Sequence, residues 1–206
     1  MKSIFNGIEF KEGSINIAFA NPNSCKTTYL INEGINLAKQ GYDVTYLSTE
    51  DNLVDLAIKA FKCNNNSFDL EKGNLYFNKR IDCTNFDTSD SKNRILLVDY
   101  RFEFEVLDFT RSYNLVLSNN LENYKKYGTV IFTSIPPIQY WSNLDNFKID
   151  SSCVDSISKF IIDTKDESGF IDTGFVAFTK LNGKEVDKKL RFTINRNNYK
   201  IIQENS

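Results

Sequence analysis

A run of small polar residues between positions 20 and 28 has the composition and spacing to bind a polyphosphate. An apolar stretch precedes it, and an amphipathic stretch follows it. In phosphate-binding loops, backbone N–H groups wrap the phosphates, a lysine reaches the terminal ones and a hydroxyl binds Mg²⁺. We predict that Lys26 and Thr27 take the last two roles. The residues of the predicted loop are Ala20, Asn21, Pro22, Asn23, Ser24, Cys25, Lys26, Thr27 and Thr28.

The loop departs from the usual G-x-x-x-x-G-K-[ST] pattern at both glycines, because Ala20 and Cys25 occupy those positions. The glycine before the lysine often needs a backbone conformation that a Cβ would crowd. Cysteine is small, so we expect nucleotide binding to survive, and we expect a thiol beside phosphates to be open to oxidation or alkylation. A strand, turn and helix capped by Ser24 would explain the same residues without a ligand.

Two carboxylates follow apolar stretches that read as strands. Asp99 ends the run RILLVD, and Glu50 follows VTYLS. If both strands open onto one crevice at their carboxyl ends, Asp99 could support Mg²⁺ and Glu50 could activate a water for attack on a γ-phosphate. Solvated strand-end acids would explain either residue alone. Together with Lys26 and Thr27 they favour a site for ATP and Mg²⁺.

A further pair of charges lies near the C-terminus. Lys189 and Arg191 are two residues apart, so a strand would place both on one face. Charges of this kind protect the solvent face of an edge strand. They would also suit cations that project into the nucleotide site of a neighbouring subunit.

The elements that position these residues follow from hydrophobic periodicity and turn signals. Strands are predicted at 14–20, 44–47, 75–77, 94–100 and 129–133, and helices at 27–40, 53–61 and 112–127. Short strands follow at 160–163, 173–180, 188–195 and 199–202, with turns at 167–169 and at Asn182-Gly183. Strands alternating with helices predict an α/β fold with a mainly parallel central sheet. With no linker or repeat, residues 1–206 are predicted to form a single domain.

Composition excludes several other functions. The 206 residues are 41% hydrophobic and carry a net charge of −2, so no global basic field attracts nucleic acid. The absence of histidine rules out acid–base catalysis by histidine and metal sites with histidine ligands. The four cysteines are widely spaced, as reduced cytosolic thiols are. No stretch reads as a signal peptide or a membrane span, so we expect a soluble, cytoplasmic protein.

Four motifs together resemble the replicative helicases of the DnaB type, a branch of the RecA-like ATPases. The loop ANPNSCKTTYLIN is similar to that family's ARPxMGKTTFxxN, where alanine is normal at the position of Ala20. The segments VTYLSTED, RILLVDY and KLNGKEVDKKLRF are similar to VLYFSLEM, LIxIDY and KNRNGPTGTVKLRF. The matches are collinear over almost the whole chain.

The resemblance implies a RecA-like three-layer αβα core that binds ATP and Mg²⁺ and acts on single-stranded DNA in replication. Glu50 would be the catalytic base, Asp99 the metal-site acid, and Lys189 and Arg191 the cations supplied in trans. It also implies a homo-oligomeric ring such as a hexamer, contacts with replication proteins and no membrane association.

Some family features are missing. Ser134-Ile135 stands where the family has Ser-Gln, whose glutamine links the γ-phosphate to the DNA-binding loop. The stretch from Glu50 to Asp99 is too short for a long helix that the family carries there. We also expect the family's N-terminal domain to be absent, which would leave a minimal ATPase core of the kind that phages and mobile elements encode. A degenerate nucleotide-binding module that serves as a structural or regulatory partner is the alternative expectation. A recombinase-like or circadian-clock-type ATPase on the same core is a third, against which the segment NGKEVDKKLRF favours the helicase branch.

Overall fold

The computed structural model describes residues 1–48, 51–79, 93–99, 124–136, 154–165 and 170–204. The elements in chain order are β1 Ile15–Ala20, α1 Lys26–Lys39, β2 Asp43–Ser48, α2 Leu53–Cys63, β3 Asn74–Asn78, β4 Arg94–Asp99, β5 Thr129–Ser134, β6 Ser156–Lys165, β7 Ile171–Leu181, β8 Lys184–Asn195 and β9 Lys200–Gln203. Neither α1 nor α2, the two helices within the described ranges, is long and apolar enough to cross a bilayer.

The nine strands of the described ranges form one sheet in the order β3-β2-β4-β5-β1-β6-β7-β8-β9. The first six strands in this order are parallel to one another. The pairs β6–β7, β7–β8 and β8–β9 are antiparallel. The mainly parallel sheet with antiparallel C-terminal strands is therefore confirmed. Strands β6, β7 and β8 contain 10, 11 and 12 residues, which makes them longer than the short strands that the sequence predicted.

The parallel strands read as continuous apolar runs because both of their faces are buried. One face packs against α1, α2 and the N-terminal segment, with Leu30, Ile31 and Leu97 in that core. The other face buries Ile17, Leu96 and other side chains in a second cluster. By contrast, β8 alternates between an exposed and a buried face, as expected of a strand with one solvated side.

The N-terminal segment packs on α1, which the sequence did not predict. Lys2 and Glu9 form an antiparallel bridge, and Phe5 inserts among aromatic rings of α1, β6, β7 and β8. The carboxylate of Glu33 on α1 accepts hydrogen bonds from the Ser3 hydroxyl and, at 3.1 Å, from the Ile4 backbone N–H. The segment therefore fixes the middle of the helix whose first turn carries Lys26 and Thr27.

The predicted hairpin turn at Asn182-Gly183 connects β7 and β8. Both residues have positive φ, at 51° and 83°, the combination that a type I′ turn requires. The predicted turn at 167–169 and most of the predicted helix at 112–127 lie outside the described residues.

Candidate nucleotide site

The loop between β1 and α1 has the backbone of an anion-binding turn. Asn23 and Cys25 adopt positive φ values of 59° and 63°, and Cys25 is the residue that precedes the first turn of α1. The first N–H groups of a helix lack intrahelical acceptors, and the first turn of α1, which is fully described, contains no acidic side chain to compensate its positive end. The loop and helix can therefore present N–H groups to an anion.

Cys25 adopts the conformation for which glycine is suited. A non-glycine residue in the left-handed region costs about 1 kcal/mol or more. The Ser24 side chain does not cap α1, nor does any other side chain of the described residues, so the alternative in which Ser24 caps the helix is wrong.

Burial raises the pKa of the Cys25 thiol far more than the Lys26 ammonium lowers it, so the thiol stays protonated. A raised pKa disfavours the thiolate, which is the reactive form, and so argues against the predicted reactivity.

Thr27 and Asp99 meet although 72 residues separate them. The Thr27 hydroxyl donates to Asp99 Oδ2 at 2.7 Å. This contact is possible because α1 begins at the end of β1 and crosses the sheet over β5 and β4. The pairing of β2, β4 and β5 also aligns Ser48, Asp99 and Thr133 at the carboxyl edge.

Asp99 is only 1% exposed, and three hydroxyl groups of the described residues hold it. Besides Thr27, Tyr46 donates to Oδ2 at 2.8 Å and Thr133 donates to Oδ1 at 3.1 Å. Burial, reinforced by the negative charge of Asp99, raises the pKa of Tyr46 well above its usual value, so the phenol remains a donor. The carboxylate is therefore fixed in orientation, with Thr27 between it and the phosphate loop.

Asp51 is a member of the site that sequence reasoning missed. Its Oδ2 lies 3.3 Å from the Thr27 hydroxyl oxygen, whose single proton is directed to the nearer Asp99, and 3.7 Å from the Lys59 ammonium. The signal in the sequence that could have identified Asp51 was its position directly after Glu50. Glu50 itself lies outside the described residues, which include Ser48 and Asp51 on either side of it.

The oxygen atoms of Thr27, Asp99 and Asp51 are ligands of the type that Mg²⁺ prefers. Within the described ranges, no group of three or more acidic, histidine or cysteine side chains could hold a metal ion without further ligands. Mg²⁺ usually takes one or two carboxylates together with phosphate oxygens and waters. The residues therefore fit a metal ion that arrives with a nucleotide.

Lys26 is partly buried and makes no ion pair or hydrogen bond with any residue of the described ranges. Its ammonium is thus available to a ligand at the loop.

Farther along α1, Asn32 anchors the helix to β9 and α2. Its side chain donates to the Tyr199 carbonyl at 2.7 Å and accepts from the Ile201 backbone N–H at 3.1 Å and from the Cys63 thiol.

Lys189 and Arg191 share the exposed face of β8, as predicted. Strands β6 and β7 separate β8 from β1, so the pair does not join the loop of its own chain. Arg191 pairs with Asp163 at 3.0 Å and with Glu204 at 3.6 Å, and its side chain is 55% exposed. The Lys189 ammonium lies 3.5 Å from the centre of the Phe175 ring.

No family model matches this sequence, and no curated protein matches it by sequence. Many solved structures nevertheless share its fold. One is the ATPase domain of a DnaB-like helicase, with 14% identity and a TM-score of 0.65, and the match covers 95% of this chain and 86% of that one. Another is the KaiC-like protein PH0186 from Pyrococcus horikoshii, with 14% identity, a TM-score of 0.64 and 99% of both chains covered.

A third structure is a DnaB-like replicative helicase, described together with its interactions with primase. It has 15% identity and a TM-score of 0.67, and the match covers 98% of this chain and 63% of the helicase. The fold is therefore RecA-like, as predicted. It is the fold of DnaB-like helicase ATPase domains and of a KaiC-like protein.

Proposed function

We propose that this protein is a Mg²⁺-dependent ATPase of the DnaB-like helicase kind. It would couple ATP hydrolysis to binding of, or translocation on, single-stranded DNA in replication. The observation that carries the proposal is that Thr27, Asp99 and Asp51 meet beside the loop that leads into Lys26. Two residues of this loop have positive φ. The fold shared with the ATPase domain of one DnaB-like helicase and with a second DnaB-like replicative helicase supports it.

Each residue has a physical role in this proposal. The loop N–H groups and Lys26 bind the β- and γ-phosphates, while Thr27 and Asp99 hold the Mg²⁺ that comes with ATP. A bound Mg²⁺ neutralises charge on the phosphates. Glu50 accepts a proton from the water that attacks the γ-phosphorus, and the bond to the β–γ bridging oxygen breaks to release ADP.

Lys189 and Arg191 complete the site of a neighbouring copy in a homo-oligomeric ring, such as a hexamer. Their exposure on the face of β8, away from their own loop, is compatible with this role. Arg191 would offer the neighbour's phosphate the guanidinium N–H groups that Asp163 and Glu204 leave unused. The ring would be cytoplasmic, bind single-stranded DNA and contact other replication proteins.

A steady-state ATPase assay tests the proposal. Lys26→Ala is expected to lower the rate at least about a hundredfold through loss of charge stabilisation at the phosphates. Glu50→Gln is expected to lower it by a factor on the order of 10² to 10⁴, with ATP binding retained. Lys39→Ala, at the far end of α1, is the control. The rates are measured with and without single-stranded DNA. Absence of Mg²⁺-dependent hydrolysis in every condition would refute the enzyme proposal.

The second candidate is a nucleotide-binding module that does not hydrolyse ATP and serves as a structural or regulatory partner. The left-handed Cys25 favours it, because a Cβ occupies a backbone position that suits glycine. Sizing the protein with and without a non-hydrolysable ATP analogue distinguishes the two functions. A ring that forms with the analogue supports the ATPase, and a monomer in both conditions supports the partner.

Cys25→Gly shows which of the two applies. Because Cys25 is already left-handed in the structure, relief of about 1 kcal/mol of backbone strain is expected to raise the free energy of unfolding by about that amount, and removal of the Cβ beside the loop is expected to change the hydrolysis rate less than tenfold. Ser24→Gly is the control, because it introduces a glycine into the loop without relieving the backbone strain at Cys25. If the wild type is inactive and Cys25→Gly hydrolyses ATP, Cys25 has silenced the site and the second candidate is correct.

A further inference from the structure

Asp172 on β7 is a buried carboxylate, and the described residues satisfy only one of its two oxygens. The residue is 6% exposed, and Oδ2 accepts from both Nε and Nη2 of Arg196, at 2.8 and 2.6 Å. Oδ1 is buried and has no hydrogen-bond partner in the part of the chain that the structure describes. An arginine that faces a carboxylate commonly binds both oxygens, so this pairing leaves one strong acceptor unused.

A buried acceptor without a partner costs free energy that a folded protein rarely tolerates without a reason. An ordered water or a ligand that supplies the donor would account for such an atom. Another buried atom of this kind, Asn16 Oδ1, lies near the N-terminal end of β1, whereas the loop follows its C-terminal end. Asp172 differs from it in being charged and in its position relative to the phosphate loop.

The register of the sheet places Asp172 beside that loop. Ala20, the last residue of β1, pairs with Phe160 of β6, which pairs with Val176 of β7. Asp172 precedes Val176 by four residues. Because β7 runs antiparallel to β6 and β1, Asp172 lies roughly 13 Å beyond the end of β1, on the side where the loop continues. Alternation puts it on the same face as Val176, and this face packs against α1.

An independent observation gives the same location. Cys25, the residue at the start of α1, packs against the same core cluster that contains Val176. The Arg196 side chain is 44% exposed and neutralises the acid. An anion bound at the loop would therefore lie near the neutral Asp172–Arg196 ion pair, and not near an unpaired negative charge.

We propose that Asp172 Oδ1 accepts a hydrogen bond from the nucleoside part of the nucleotide bound at the loop, and this proposal rests on the ATP-binding function proposed above. The fully ionised phosphates of a nucleoside triphosphate have no donor to offer a carboxylate. The donors of the molecule are the ribose hydroxyls and the amino group of the base. Asp172 and Arg196 therefore form a nucleoside subsite that positions ATP and distinguishes it from a bare polyphosphate.

Comparing a nucleotide with a polyphosphate tests this. Dissociation constants of Mg²⁺–ATP and of inorganic tripolyphosphate with Mg²⁺ are measured by calorimetry for the wild type and Asp172→Ala. Loss of a hydrogen bond to a charged acceptor is expected to weaken ATP binding by about tenfold to a hundredfold, with tripolyphosphate binding changed less than about twofold. Asp187→Ala removes the same charge from an exposed position of β8 and is the control. Asp172→Asn keeps the volume and one acceptor, and an intermediate loss is expected.

Two analogues identify the donor. 2′,3′-Dideoxy-ATP lacks both ribose hydroxyls, and inosine triphosphate lacks the amino group of the base. The difference between wild type and Asp172→Ala is expected to disappear with one of them. If it persists with both, the proposal is wrong.

The remaining outcomes are also decisive. Equal weakening of ATP and tripolyphosphate would mean that Asp172 only supports the fold of the loop, and unchanged binding of both would mean that a water satisfies Oδ1. Either result overturns the nucleoside subsite and leaves ATP binding intact. A wild-type protein that binds neither ligand refutes the proposed function itself.

Discussion

Asp99→Asn is expected to lower Mg²⁺-dependent ATP hydrolysis at least about a hundredfold, because the proposed metal site loses its buried carboxylate. Asp99 accepts from Thr27 at 2.7 Å, so an asparagine would also present an amide N–H₂ group to one of the hydroxyl groups that now donate to it. The measurement is the steady-state rate as a function of Mg²⁺ concentration. A rate that stays within tenfold of the wild type would contradict the assignment of Asp99 to the metal site.

Asp99→Ala should in addition destabilise the fold by about 2–4 kcal/mol, because it leaves three buried hydroxyl groups without their acceptor and opens a cavity. Tyr46→Phe is the matched control, since it removes one donor and keeps the carboxylate bonded to Thr27 and Thr133. This variant should lose about 1 kcal/mol and retain most of the activity. Urea unfolding measures both effects, and equal losses for the two variants would contradict the central role of the carboxylate.

Glu33 should make the stability of the protein depend on pH between about 4.5 and 7. Burial raises the pKa of Glu33 from 4.5 to about 7, against the opposing hydrogen bonds from Ser3, Ile4, Asn36 and Tyr29. Within this window the folded state binds more protons than the unfolded state. Stability is therefore highest at the acid end of the window and falls as the pH rises through 7, by about 3 kcal/mol at 1.36 kcal/mol per pKa unit.

Glu33→Gln removes the titrating group and keeps the shape of the side chain. The free energy of unfolding of this variant, measured in urea at pH 5 and pH 8, should fall less with rising pH than that of the wild type. Glu12→Gln, at an exposed position, is the control and should follow the wild type. Parallel pH profiles for wild type and Glu33→Gln would show that Glu33 does not titrate in this range.

The elements next to the site were predictable because local patterns dominate there. Predicted strand 94–100 and helix 27–40 differ by only one residue at their ends from Arg94–Asp99 and Lys26–Lys39. The apolar runs and the stop at Gly41 are local signals. The length of β6 was underestimated because Ser156, Ser158 and Lys159 are polar although the fold buries them. The lengths of β7 and β8 were underestimated because their alternation extends beyond the apolar residues.

The site was predicted as a set of residue types and not as a set of contacts. The sequence pointed to Lys26, Thr27 and Asp99, but the roles of Asp51 and Tyr46 depend on the strand order, which places β4 between β2 and β5. Likewise, the pairing of Arg191 with Asp163 joins β8 to β6 across β7. No local pattern encodes such a contact.

The amino-acid sequence alone predicted a class of chemistry, since a loop followed by Lys-Thr, acids after predicted strands and the absence of histidine favour phosphate and Mg²⁺ binding. Only the tertiary structure decided how the parts fit. It places Cys25 in a left-handed conformation, where burial raises the pKa of its thiol, and it directs the Thr27 hydroxyl onto Asp99. It also leaves one oxygen of Asp172 without a hydrogen-bond partner among the described residues. The physical reason is that burial, pKa and hydrogen-bond partners are set by residues distant in the chain, which meet only when the sheet assembles.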